Sequence, residues 1–149
     1  MNAGEICNRE VVVAEPDMNL VQAAQLMRQY HVGSLVVCTR QGTARVPVGM
    51  VTDRDLTVAV LAKEVDPRAL RFADVMPREL FTVREEDTMT EVLRVLRGRG
   101  VRRVPVVDGD GVLVGILTLD DLLDIAAEQL NDIVAAIRRQ QKQEMQKRP

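Results

Sequence analysis

The chain has 149 residues, a formal net charge of -2 and a sequence pI near 5.5, and its aromatic side chains are Tyr30, Phe72 and Phe81 alone. It therefore lacks both the basic excess and the base-stacking platform of a nucleic-acid binder. Cys7 and Cys38 are too few for a disulfide framework or a four-ligand zinc site, no apolar run is long enough to span a bilayer, and Met1 to Glu10 has no signal-peptide core. The expectation is a cytoplasmic protein with reduced thiols and a core of its own, bound to neither nucleic acid nor membrane.

In chain order, the apolar run Val11–Val13 predicts a strand, and Asn19 with Gln22 predicts a capped helix start. Leu20, Ala23, Ala24 and Met27 then form one apolar helical stripe. The helix ends near Tyr30 and His31, where the lone histidine reads as a surface or capping residue. Leu35–Val37 predicts a buried strand, 38–45 a turn, and Val46–Val51 a further strand that gives way to a helix at Gly49-Met50-Val51-Thr52-Asp53-Arg54-Asp55. A linker with Pro67 and several charges follows from about Lys63 to Ala73.

The same order then returns. Residues 5 to 37 match 74 to 106 at a constant offset of 69, so that Ile6-Cys7-Asn8-Arg9-Glu10 falls on Val75-Met76-Pro77-Arg78-Glu79 and Val11–Val13 on Leu80-Phe81-Thr82. Thr88 with Glu91 takes the place of Asn19 with Gln22, and Met89, Val92, Leu93 and Leu96 repeat the helical stripe. In Val104-Pro105-Val106-Val107 the proline lacks an N–H, so that strand is expected at a sheet edge or with late pairing. Asp108-Gly109-Asp110-Gly111 reads as a hairpin turn rather than a calcium loop, because no further acid follows at loop spacing. Gly115-Ile116-Leu117-Thr118-Leu119-Asp120-Asp121 repeats the corner, at an offset of 66 because the first turn is longer.

The expected fold is therefore α/β of the α+β type. Two pseudo-symmetric β-α-β-β-α repeats, 1–63 and 74–128, flank a linker at 64–73 and pack on each other, since a half of this size buries too little alone. Leu122, Leu123, Ala126, Leu130, Ile133, Val134 and Ile137 prolong the last helix into an extension at 129–149 whose polar end beyond Arg138 is expected to fray. That stripe needs cover, by self-association or by packing back.

Each Thr-x-x-Asp corner admits two uses. The plain one is a capping box, with the hydroxyl accepting from the backbone N–H three residues on and the acid reaching back. The functional one is an anion site at a helix start, with Thr52 and Thr118 on phosphate, the glycine allowing close approach, and Asp55 and Asp121 on ribose hydroxyls. Arg94, Arg97, Arg99, Arg102 and Arg103 form a basic cluster, read as a solvated helix end at Arg94 and Arg97 and left open at Arg103. Asp120, Asp121 and Asp124 read as first-turn helix acids, and Cys38 as a small buried hydrophobe. No nucleophile and base stand together, so no enzyme is expected.

The two corners, with Val75-Met76-Pro77, Leu20 to Met27, Val32-Gly33-Ser34-Leu35-Val36-Val37 and Val101-Arg102-Arg103-Val104-Pro105-Val106-Val107-Asp108, resemble a tandem pair of CBS domains, a Bateman module, over residues 4 to 128. The resemblance implies dimers and binding of an adenosine-containing ligand such as AMP, ATP, NAD or S-adenosylmethionine. It places phosphate on the motif threonines and ribose on the aspartates. Adenine would lie near Val12, Val13, Gly33 and Ser34 in one copy, and near Phe81, Thr82, Arg103 and Pro105 in the other. The expectation is a non-enzymatic sensor with an adenine nucleotide as ligand and no other cofactor or metal, forming a homodimer and acting on a partner protein. The alternative is a dimeric scaffold with non-functional clefts.

Overall fold

The structure, a computed structural model, describes residues 1–76 and 79–148; Pro77 and Arg78, part of the second repeat's opening motif, lie outside the described residues. The chain divides into two compact units, Met1–Leu117 and a second that starts at Thr118.

In the first unit, the first repeat's sheet has the order β1-β2-β3, with β1 (Val13–Ala14) parallel to β2 (Ser34–Gln41) and β2 antiparallel to β3 (Ala44–Thr52). The second sheet repeats it as β4 (Val83–Arg84), β5 (Arg103–Val107) and β6 (Leu113–Thr118), with β4 parallel to β5. The first strand of each repeat starts later than the apolar run suggests, by two residues at Val13 and by three at Val83. The predicted turn at 38–45 also shrinks. β2 and β3 continue until Arg40 pairs with Arg45 and Gln41 with Ala44, and Gly42, at φ 65°, makes the corner. Val37 faces Gly49 while Cys38 faces Pro47, so Val48 is an extra residue, and this bulge on an edge strand accommodates a proline.

Pro105 lies in a central strand, not at an edge. The Val107 carbonyl accepts from the Glu85 N–H at 2.9 Å, and two-residue alternation turns Pro105 toward the same neighbour. The ladder with β4 begins only at Val106, so late pairing leaves no donor missing. The second turn is as expected: Asp108 Oδ1 accepts from the N–H groups of Asp110 and Val112, each at 2.9 Å, and Gly111 takes φ 79°.

Both predicted helix starts are capping boxes. Asn19 and Gln22 close α2 (Leu20–Tyr30), and Thr88 and Glu91 close α4 (Met89–Arg99). Both helices end in a left-handed residue, His31 at φ 54° and Gly100 at φ 64°, so the histidine has capping duty. Leu20, Ala23 and Met27, and likewise Val92 and Leu96, are buried, whereas the matched pair Ala24 and Leu93 face outward. The inward stripe is one position narrower than the sequence suggests.

The repeats interlock through their leading segments. α1 (Ala3–Ile6) is capped by Asn2, which bridges to Thr88, the cap of the other repeat's helix. Arg71, sixty-nine residues on, bridges in the same way to Asn19. Ala3 and Gly4 donate to the carbonyls of Asp87 and Glu85 at 2.8 Å each, and Asn8 exchanges two 2.9 Å hydrogen bonds with Ile116. Phe72, in the stretch read as linker, is fully buried in the first repeat's core with Leu20, Met27, Leu35 and Val60. Burying a phenylalanine is worth about 1.5–3 kcal/mol, so this exchange is a principal stabiliser. Val11, Val13, Val36, Cys38 and Met50 of one repeat and Leu113 and Ile116 of the other form a second cluster.

The second unit is one helix, α5 (Leu119–Lys147), continuous past Arg138 where fraying was expected. Its polar end is almost wholly Arg, Gln, Lys, Glu and Met, all good helix formers.

Candidate functional site

Two clefts occupy matched places in the first unit. The larger, about 700 Å3, includes Glu10, Val11, Val12 and Val32 in its lining; the smaller, about 100 Å3, has Glu79, Leu80, Phe81 and Val101 at the corresponding positions. The first is within the range of small-molecule sites and the second is well below it. The residues themselves give the reason. Phe81 replaces Val12, Arg103 replaces Ser34, and the Arg99 guanidinium lies 4.2 Å from the centre of the Phe81 ring. The basic cluster thus supplies Arg103 to the second cleft's lining and Arg99 to the Phe81 ring within that lining.

The first cleft joins an apolar floor to charged ends. Val12 and Val13 lie in its wall, held by the Val36 N–H, which donates to the Val12 carbonyl at 3.2 Å, and by the pairing of Val13 with Val36. Arg40 and Arg45, paired across β2 and β3, reach it from one side, and Arg40 stands 3.6 Å from Glu15, another lining residue. These two arginines escape a reading of 38–45 as a turn; period-two alternation carried past Cys38 places Cys38 and Arg40 on one face. Cys38 also lines the cleft, and burial pushes its thiol up to about 11, with Arg45 opposing the shift, so it stays protonated.

Gly33, Ser34, Thr52 and Asp55 meet at the strand-to-helix corner rather than among the larger cleft's lining. Ser34 pairs with Thr52, the Asp53 N–H donates to the Gly33 carbonyl at 3.0 Å, and a Cβ on Gly33 would lie 3.1 Å from Asp53 Oδ2. The corner touches the cleft through Val32, the neighbour of Gly33. In the second repeat Phe81 and Arg103 come together, whereas Thr82 is exposed and Pro105 is buried within β5.

Both corners use the plain chemistry. Thr52 Oγ1 accepts from the Asp55 N–H at 3.2 Å while Asp55 Oδ2 accepts from the Thr52 N–H at 2.9 Å. Thr118 and Asp121 repeat this at 3.1 and 3.0 Å, and the Thr118 hydroxyl also donates to Asp121 Oδ2 at 2.8 Å. The helix that follows Thr52, α3 (Asp53–Leu56), passes at once into a π turn over Thr57–Leu61. The glycines do not serve a ligand as expected. A Cβ on Gly49 would collide with the Met76 sulfur, and one on Gly115 would lie 2.5 Å from Cys7 Sγ and 2.7 Å from the Asn8 carbonyl oxygen. The close approach is made by the other repeat's leading segment, at the matched residues Cys7 and Met76.

The family model of the CBS domain matches residues 3–62 and 72–128. The chain is a CBS domain pair. Hypoxic response protein 1 of Mycobacterium tuberculosis is 34% identical over 122 residues, covering 82% of this chain and 78% of that protein. A protein of Methanopyrus kandleri is 31% identical over 84% of this chain, which spans 62% of that protein's length. Among solved structures, Hypoxic Response Protein I with two coordinated zinc ions superposes at a TM-score of 0.71, with 31% identity over 83% of this chain and 98% of that one. A CBS domain pair in complex with 5′-methylthioadenosine and S-adenosyl-L-methionine superposes at 0.75, with 22% identity over 87% of this chain and 98% of that one, a likeness of fold. In this CBS pair no group of three or more His, Cys, Asp or Glu side chains is placed to hold a metal among the described residues. No helix among them is long and apolar enough to cross a membrane.

Proposed function

We propose that this CBS pair is a cytoplasmic regulatory sensor rather than a catalyst, and that it takes an adenosine-containing nucleotide in the cleft of its first repeat. The observation that carries the reading is the 700 Å3 hollow with Val12, Val13 and Val32 for an apolar base and Arg40 and Arg45 for phosphate. The adenosine compounds named for the structurally similar pair make that class the first to test. Asp55 commits Oδ2 to the cap, so a ribose would be received by Oδ1. Binding regulates a partner protein if the ligand has different affinities for two arrangements of the repeats or subunits.

The test is thermal unfolding with AMP, ADP, ATP, NAD and S-adenosylmethionine. A true ligand at a hundred times its Kd adds about 2.7 kcal/mol of stability. Asp55→Ala abolishes that gain while Asp121→Ala preserves it. A flat panel overturns the sensor and leaves a dimeric scaffold.

A further inference from the structure

The apolar stripe of α5 is buried at Leu122 and half-buried at Ala126 but exposed at Leu123 and from Leu130 onward, and among the described residues the helix is the only element of its compact unit. Leu123, Ala126, Leu130, Ile133 and Ile137 recur at alternating spacings of three and four, the seam of a helix pair. Leu123, Leu130, Ile133 and Ile137 are 67%, 63%, 58% and 51% exposed. Val134, half exposed, and Ala127 widen the seam on one flank, and no charge interrupts it between Leu123 and Ile137.

The charges identify what covers it. From Leu119 to Ile137 every charged residue is acidic (Asp120, Asp121, Asp124, Glu128 and Asp132), and from Arg138 to Lys142 every one is basic (Arg138, Arg139 and Lys142). Two copies side by side in the same direction would set acid on acid and align their helix dipoles unfavourably. Two copies in opposite directions set acid against base and oppose the dipoles. We propose that α5 pairs antiparallel with α5 of a second copy of this chain. The register that puts Leu130 of one copy against Ile133 of the other also sets Ala126 against Ile137, small against large, and brings Asp121 level with Lys142 and Asp124 level with Arg139. The face thus begins within the family-matched residues, which end at 128, and continues past them through Leu130, Ile133 and Ile137.

Disulfide trapping in the full chain tests this. Leu130→Cys and Ile133→Cys chains are oxidised separately and as a mixture, and the linked peptides are mapped by mass so that Cys7 and Cys38 are told apart. The antiparallel register gives a 130-to-133 link in the mixture and none between like positions in either chain alone. Ile133→Lys, at an exposed position, removes the link and lowers the apparent mass in light scattering while circular dichroism keeps its helical signal. Links between like positions overturn the orientation. A mixture without links, together with a mass that Ile133→Lys does not change, overturns the pairing and assigns the stripe to the chain's own fold.

Discussion

The two clefts are built from matched positions on matched strands, yet one is seven times as large as the other. The backbone repeat is intact; the difference lies in side chains that project into the same space. Valine lines the open first cleft, whereas phenylalanine and Arg103 line the second, with Arg99 against the phenylalanine ring. A duplicated fold can thus keep both corners, with their Thr–Asp pairs, for stability while retaining room for a ligand in one place. The capped corner is a structural requirement of each repeat, and the open floor is not.

The largest expected effect concerns how the repeats grip each other. Gly115→Ala pushes a Cβ into the Asn8 carbonyl, part of a backbone bridge that cannot retreat, and costs about 3 kcal/mol in denaturant unfolding. Gly49→Ala meets the mobile thioether of Met76 and costs about 1 kcal/mol. Equal costs would mean that the two grips are alike. Next, Val12→Phe with Ser34→Arg recreates the filled cleft in the first repeat and abolishes the nucleotide-induced stabilisation of about 2.7 kcal/mol. The converse pair, Phe81→Val with Arg103→Ser, opens the second cleft and makes it competent in the same thermal assay. A response that survives the first pair places the ligand elsewhere.

Smaller effects separate the helices that flank the clefts. His31→Gly gives α2 the residue type that α4 already has at its left-handed end, and raises stability by about 0.5–1 kcal/mol. Arg99→Ala loses the contact with Phe81, at about 0.5–1 kcal/mol. The least effect is one of pH. Glu91 is held below the usual carboxylate range by the Thr88 N–H and then its hydroxyl, whereas the matched Gln22 is neutral. A depressed folded pKa gives stabilisation that is present above the unfolded value and lost as pH falls through the folded one. Glu91→Gln therefore flattens the acid limb of the unfolding curve, and Gln22→Ala leaves its slope unchanged.

Much of this was legible in the sequence, because the signals were local and came twice. Asn19 with Gln22, Thr88 with Glu91, and the Asp108 turn are short-range hydrogen-bond patterns, and the offset of 69 matched the two helix starts to each other. The substitution of Phe81 and Arg103 for Val12 and Ser34 was equally visible, but its consequence for volume depends on Arg99 coming over the ring, a tertiary fact. The roles of Gly49 and Gly115 were misassigned for the same reason, since the atoms that press on them come from the other repeat. Arg40 and Arg45 were hidden because a glycine flanked by polar residues looks like a long turn until strand pairing is seen to run to its edge.

The crossed leading segments carry a last consequence. Asn8 lines the open cleft of the first repeat and is bonded through its backbone to Ile116 of the second. A molecule that shifts Asn8 pulls on a strand whose address in the gene is more than a hundred codons away, so severing the connector between the halves would free neither: each would still be clasped by a piece of the other.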